Sequence, residues 1–415
     1  MDIRFAKRMQ GLRASEIREL LKHTQNPEVI SFAGGLPAAE LFPVPELASL
    51  AHEIVLQEGC RVLQYSTTEG DPGLRRAIAG RMKATRGIEA AAGEILVTCG
   101  SQQGVDLTGK LFLDEGDVVL CESPTYIGAI NAFLAYRPRF VEVPTDEDGM
   151  VIPELERLLE GEPAAKLIYV IPDFQNPSGR RWSRERRCRF MEVVRRYRVP
   201  VVEDAPYAEL YFEGTPLPAL KSLDEDGLVI YLGTFSKILC PGLRIGWLFA
   251  EPSLFEKYVL AKQGADLHTS SFTQRLIGAY MERYDLDANV RRIREAYRHR
   301  RDAMIETMEQ ALPAGVDFTR PGGGLFLWAE LPPELDARAL LALSLKRQVA
   351  FVPGGAFFPN GGHENTLRLN FSAMPEERIE EGIRRLGGVI RAALGRPEAQ
   401  PEDTEKNGIS HRCAG

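Results

Sequence analysis

An α/β fold, built on a large unit whose mostly parallel sheet is flanked by helices and followed by a smaller α+β unit, is predicted by three features of the sequence. Short apolar runs recur across residues 92–250. Helical patterns, such as the one at 184–198, separate several of them. Beyond Leu286 the alternation gives way to a long charged helical stretch and then to mixed strands and helices. Buried strands alternating with helices pack as a parallel sheet covered on both faces, whereas segments without that alternation fold as a separate lobe.

The elements follow in order. Residues 14–23 carry Ile17, Leu20 and Leu21 at helical spacing, with Ser15 placed to cap, so a short amphipathic helix precedes the extended stretch 29–35. Strands are expected at 95–98, 118–121, 167–171, 199–203, 228–232 and 245–249, with a helix from Ser101 to about Leu113. A helix at 289–310, strands at 324–330, 349–352 and 366–372, and a helix at 376–394 complete the second lobe. This divides the chain into an arm with part of the small lobe (1–50), a large unit (51–288), a small unit (289–396) and a polar tail (397–415) expected to be disordered.

Composition excludes several classes. The 415 residues are 44% hydrophobic, with 51 Lys+Arg against 58 Asp+Glu for a net charge of −7, as in an ordinary globular chain. The dispersed basic residues argue against a partner bound through nucleic-acid phosphates and for a small-molecule partner. The six cysteines, Cys60, Cys99, Cys121, Cys188, Cys240 and Cys413, lie far apart with no Cys-x-x-Cys pair, which predicts reduced thiols and no metal site. The first eight residues lack the apolar core of a signal peptide, and no run approaches the ~18 apolar residues of a membrane helix, so a cytoplasmic location without membrane contact is expected.

Four stretches carry candidate chemistry. The run 228–232 leads into Gly233-Thr234-Phe235-Ser236-Lys237, and Arg244 follows seven residues after the lysine, an arrangement that suits an amine forming an imine near an anion. A free lysine has a pKa of about 10.4, so it must be desolvated or set near positive charge to be nucleophilic. A lysine so placed is also what a solvated strand end presents. In Thr98-Cys99-Gly100-Ser101-Gln102-Gln103, a strand turns into a helix whose first N–H groups and Ser101 hydroxyl suit a phosphate, though such turns also serve as plain connections. Val201-Val202-Glu203-Asp204-Ala205-Pro206-Tyr207 ends an apolar strand in carboxylates and a phenol. Asp204 there suits a protonated ring nitrogen or, equally, a helix cap or a solvated loop acid. In Phe174-Gln175-Asn176-Pro177, Asn176 suits either a turn or donation to a phenolate oxygen, and Tyr126 suits a ring-stacking or a core role.

Taken in chain order from about Ile17 to Leu394, these motifs resemble the fold-type I pyridoxal-phosphate aminotransferases, in the branch holding 2-aminoadipate and kynurenine aminotransferases. The resemblance implies that Lys237 joins the cofactor covalently while Ser236, Arg244, Ser101 and Gln102 hold its phosphate. It assigns Tyr126 to the face of the ring, Asp204 to its nitrogen, and Asn176 and Tyr207 to its hydroxyl oxygen. Arg368, in Leu367-Arg368-Leu369-Asn370, resembles the arginine that grips the substrate α-carboxylate, a bidentate geometry lysine cannot copy. The residues alone place Arg368 on the outer face of an edge strand.

Gln64-Tyr65-Ser66 resembles the segment whose tyrosine reaches the neighbouring subunit's phosphate, so a homodimer with shared active sites is implied. Ala205 departs from the branch, which often carries a second acid there. The stretches 14–21 and 31–37 resemble 2-aminoadipate aminotransferases, which implies that Arg18 meets a distal carboxylate and that Gly35 borders the substrate. The expected reaction is transamination of 2-aminoadipate, with some aromatic or branched amino acids, against 2-oxoglutarate. Rival readings are a β-lyase or decarboxylase on the same cofactor, an aromatic or branched-chain aminotransferase, and a regulator with an aminotransferase-like body.

Overall fold

The structure is a computed structural model that describes residues 5–9, 28–162 and 164–395. The expected helix at 14–23 and the tail at 397–415 lie outside those residues. In chain order the strands are β1 (Ile30–Ser31), β2 (Ile95–Thr98), β3 (Val118–Ser123), β4 (Arg139–Asp146), β5 (Gly149–Met150), β6 (Ala165–Val170) and β7 (Val201–Asp204). They continue as β8 (Val229–Thr234), β9 (Gly246–Phe249), β10 (Asp317–Phe318), β11 (Phe326–Glu330), β12 (Val349–Ala350), β13 (Val352–Pro353) and β14 (Thr366–Asn370).

Eight strands form the main sheet in the order β2-β9-β8-β7-β6-β3-β4-β5. The strands from β4 through β3, β6 and β7 to β8 pair in parallel, whereas β9 runs antiparallel to both β8 and β2. Side chains alternate across the sheet, so its two faces bury different residues. Val119, Cys121 and Val202 enter the core that holds helices Ser101–Phe112 and Ile127–Leu134. Leu120, Ile168 and Val201 enter the one that holds Ile152–Gly161 and Arg184–Tyr197. Every residue of β8 is buried, as its unbroken apolar run required.

A smaller antiparallel sheet, β10-β11-β14-β13, follows the helix Leu286–Ala311, which packs on Glu376–Ala393. β1 pairs in parallel with β12, which brings the chain at 30–37 against the small unit. No helix among the described residues is long and apolar enough to cross a membrane.

Several expectations are corrected. The strand at 228–232 runs on through Gly233 and Thr234, which pair with Trp247 and Gly246, so Lys237 stands three residues past the ladder. The run 349–352 is two short strands, because the chain changes partner from β1 to β14 on either side of Phe351. Strand β4 was not expected: its exposed and buried positions are interspersed with Arg139, Glu142 and Asp146, and no apolar run marks it. Arg368 sits in β14, between β11 and β13, and is 1% exposed rather than on an edge.

A buried ionic cluster fixes the chain beyond β6. Asp173 meets Arg86 at 2.6 Å, Arg187 at 2.7 Å and Arg181 at 3.3 Å. These guanidinium groups overcome the cost of burial and hold the Asp173 carboxyl well below the usual carboxylate range. Removing one partner from such a cluster leaves uncompensated buried charge. Asp173→Ala is therefore expected to lower stability by about 3–5 kcal/mol in urea unfolding.

Candidate active site

The parallel strands deliver their ends to one edge of the sheet, where a crevice forms beyond their carboxyl termini. Ser101 follows β2, Tyr126 follows β3, Asn176 follows β6, Asp204 ends β7 and Lys237 follows β8. Because β9 runs the other way, the residue before it, Arg244, reaches the same edge. These residues, with Gln102, Tyr207, Ser236, Gly35 and Arg368, line one cleft of about 670 Å³.

Lys237 is the nucleophile candidate. Its Nζ donates to the Gly35 carbonyl at 2.8 Å. Burial, aided by the positive charges of Arg368 and Arg244, pushes its pKa down to about 8. An amine in that condition is partly neutral near physiological pH, as attack on a carbonyl requires.

Part of the cleft has the groups to cradle an anion. Helix Ser101–Phe112 begins after Gly100, which offers no capping side chain; the Gln103 N–H turns back to the Gly100 carbonyl at 3.3 Å, and those of Ser101 and Gln102 have no partner among the described residues. Gly100 has φ of 72°, and a Cβ there would lie 2.4 Å from Arg244 Nη2. A Cβ on Gly246 would lie 2.6 Å from the Ser101 nitrogen. The cradle therefore requires glycine at both places. Arg244, itself at φ of 52°, donates to the Cys99 carbonyl at 3.3 Å. The Thr234 hydroxyl lies 2.9 Å from that of Ser236 and accepts from the Ser236 N–H at 3.1 Å, which fixes the turn before the lysine.

The cleft also presents a carboxylate, an amide and a guanidinium. Asp204 is buried at the strand end, not a cap or a solvated acid; burial pushes its pKa up to about 6, and the Tyr169 hydroxyl opposes that shift by donating to Oδ2 at 2.7 Å. Oδ1 is buried and has no hydrogen-bond partner among the described residues. Arg368 Nη1 donates to Asn176 Oδ1 at 2.8 Å and Nη2 to the Ala33 carbonyl at 2.7 Å. With Oδ1 engaged, the Asn176 amide nitrogen is the end left to donate elsewhere. Arg368 lies 4.3 Å from the Phe326 ring centroid and 5.1 Å from that of Phe357, and its Nε has no hydrogen-bond partner among the described residues. Burial lowers its pKa to about 10. Tyr126, whose hydroxyl donates to Gln102 Oε1 at 3.3 Å, precedes helix Ile127–Leu134, and its phenol is pushed up to about 12 by burial.

These groups fit pyridoxal phosphate. The orphaned Asp204 Oδ1 suits a protonated ring nitrogen, the glycine-lined cradle suits a phosphate, and the low-pKa amine suits an aldehyde. Two further residues were expected at the site, Tyr65 at the partner's and Arg18 at the substrate. Tyr65 is 79% exposed, edge-on to His268, and does not line its own chain's cleft. Arg18 lies outside the described residues. Sequence reasoning missed Tyr169, Thr234 and Phe326. Only the first left a signal, since a tyrosine within an otherwise aliphatic strand (Leu167-Ile168-Tyr169-Val170) needs a partner for its hydroxyl.

Comparison with known proteins agrees with this chemistry. The sequence profile described as aminotransferase class I and II matches residues 27–386. Aromatic-amino-acid aminotransferase 1 of Thermococcus litoralis is 45% identical over 395 residues, covering 94% of this chain and 94% of its own. The 2-aminoadipate transaminase of Thermus thermophilus is 46% identical over 393 residues, covering 94% of this chain and 97% of its own. The solved structure of an α-aminoadipate aminotransferase from Thermus thermophilus, complexed with N-(5'-phosphopyridoxyl)-L-leucine, aligns with a TM-score of 0.88 at 44% identity, over 94% of this chain and 98% of that one.

The depressed Lys237 pKa sets a stability test on the cofactor-free protein. Between its folded value of about 8 and the ~10.4 of an unfolded lysine, the unfolded chain binds more protons, so stability rises with pH across that window. Lys237→Met removes this dependence. The variant is expected to be more stable than the parent by up to about 3 kcal/mol below pH 8, converging above pH 10.5, in urea unfolding followed against pH.

Proposed function

The chain belongs to the class I and II aminotransferases, which depend on pyridoxal phosphate, and on that premise we propose that it moves the amino group of 2-aminoadipate, and of some aromatic or branched amino acids, to 2-oxoglutarate. The observation that carries the site assignment is the convergence of Lys237, Asp204 and Arg368 on one cleft. The cofactor, when bound, supplies an electron-withdrawing ring that acidifies the substrate's α C–H. Ser101, Gln102, Ser236 and Arg244 would hold the phosphate, Tyr126 would cover the ring, and Asn176 and Tyr207 would donate to its hydroxyl oxygen. Asp204 would face the ring nitrogen, where a carboxylate favours a proton. Lys237 would hold the cofactor until substrate arrives, and its Nζ, once free, is the base placed to take the proton from the substrate's α-carbon. Arg368 binds the α-carboxylate, which gives its buried charge an anion.

Substrate choice is assigned to the N-terminal arm. The likeness of stretches 14–21 and 31–37 to 2-aminoadipate enzymes supports Arg18 as the reader of the distal carboxylate and Gly35 as a border of the substrate. The same reading makes the enzyme a homodimer. Exposed Leu63, Tyr65 and Leu267 offer an apolar surface for a second copy, from which Tyr65 would reach the partner's phosphate cradle. Five free cysteines among the described residues support a reducing, cytoplasmic setting.

Two measurements test the reading. Borohydride is expected to fix the cofactor to Lys237 in the parent and not in Lys237→Ala, whose transamination falls on the order of a thousand-fold; a colourless parent protein supplied with pyridoxal phosphate would refute the cofactor role. For substrate choice, Arg18→Ala should lower the ratio of kcat/KM for 2-aminoadipate over leucine by roughly ten- to a hundred-fold. An unchanged ratio assigns the distal acid to another residue.

A further inference from the structure

Tyr169 lies in β6 opposite Val202, two residues before Asp204 in β7. Side chains two residues apart share a sheet face, so Tyr169 and Asp204 are diagonal neighbours, a span that a long phenol covers. The tyrosine is 1% exposed and edge-on to Phe133, with ring centroids 5.9 Å apart, so its ring is fixed by packing. Its hydroxyl is 2.7 Å from Asp204 Oδ2, while Oδ1 is buried without a partner among the described residues. Tyr126, Tyr207, Lys237 and Arg244 approach the cleft from other segments, yet the hydrogen bond that holds the carboxylate comes from Tyr169.

We propose that Tyr169 is a positioning residue that keeps Asp204 ionised and turned so that Oδ1 meets the protonated ring nitrogen of pyridoxal phosphate, an inference that rests on the Asp204 role assigned above. A carboxylate is free to rotate about its Cβ–Cγ bond, and an O–H···O⁻ bond to one oxygen sets the plane of both. The same bond opposes the tendency of burial to protonate the acid. Tyr169 thus governs the cofactor's electronics without touching it.

The test is a double-mutant cycle on the full chain, read as the dissociation constant for pyridoxal phosphate against pH. Tyr169→Phe keeps the ring and its contact with Phe133. It should weaken cofactor binding on the order of tenfold near neutral pH and raise the pH at which affinity is lost on acidification, because Asp204 then protonates more easily. In an Asp204→Asn background the same change should cost less than twofold. An unchanged constant in Tyr169→Phe, or the same loss in both backgrounds, overturns the inference, since a merely structural tyrosine acts independently of Asp204. Should Asp204→Asn itself bind the cofactor as the parent does, the assignment of Asp204 fails instead.

Discussion

A single buried guanidinium joins the parts from which the site is made. Arg368 projects from the inner strand of the small sheet, hydrogen-bonds Asn176 beyond β6 of the large sheet, and donates to the carbonyl of Ala33 in the N-terminal segment. No carboxylate among the described residues neutralises it, and its charge rests on two acceptors and the faces of Phe326 and Phe357. A cation held this way is costly to bury, and a ligand carboxylate lowers that cost. The residue that connects the two lobes is thus also a buried cation that a bound anion would stabilise.

The electrostatics at the sheet edge are arranged in opposition. Lys237 is pushed toward its neutral form by burial and by two arginines, whereas Asp204 is pushed toward its neutral form by burial and drawn back by Tyr169. Groups poised this way mark sites where charge is to be supplied by a ligand. The antiparallel entry of β9 makes the arrangement possible: it turns Arg244 back toward the ends of the parallel strands, beside the open N-terminus of helix Ser101–Phe112. The Asp173 cluster then anchors the loop that carries Asn176, whose amide oxygen accepts from Arg368.

Much of this was legible in the chain. The central strands announce themselves as apolar runs because both faces of a parallel sheet are buried, and the residues at their ends could be named one by one. Strand β4 was hidden, since Arg139, Glu142 and Asp146 interrupt any apolar pattern, and the break at Phe351 was hidden because a change of pairing partner leaves the local sequence equally apolar. Arg368 illustrates the limit most clearly. As a residue in a strand it reads as an edge arginine; burial between β11 and β13, with Asn176 and Ala33 as acceptors, is a property of three distant segments.

The sequence by itself determined the class of fold and the order of the candidate groups, because hydrophobic period and residue chemistry are local quantities written along the chain, and the cofactor was implied by the likeness of that order to a known family. Tertiary structure alone decided which groups meet. It joined Lys237 to the carbonyl of Gly35, left Asp204 with one bonded and one waiting oxygen, and turned Tyr65 away from its own cleft. Those outcomes depend on strand direction, register and burial among residues far apart in sequence, and the shifts in proton affinity that prepare the site for chemistry arise only from that enclosure.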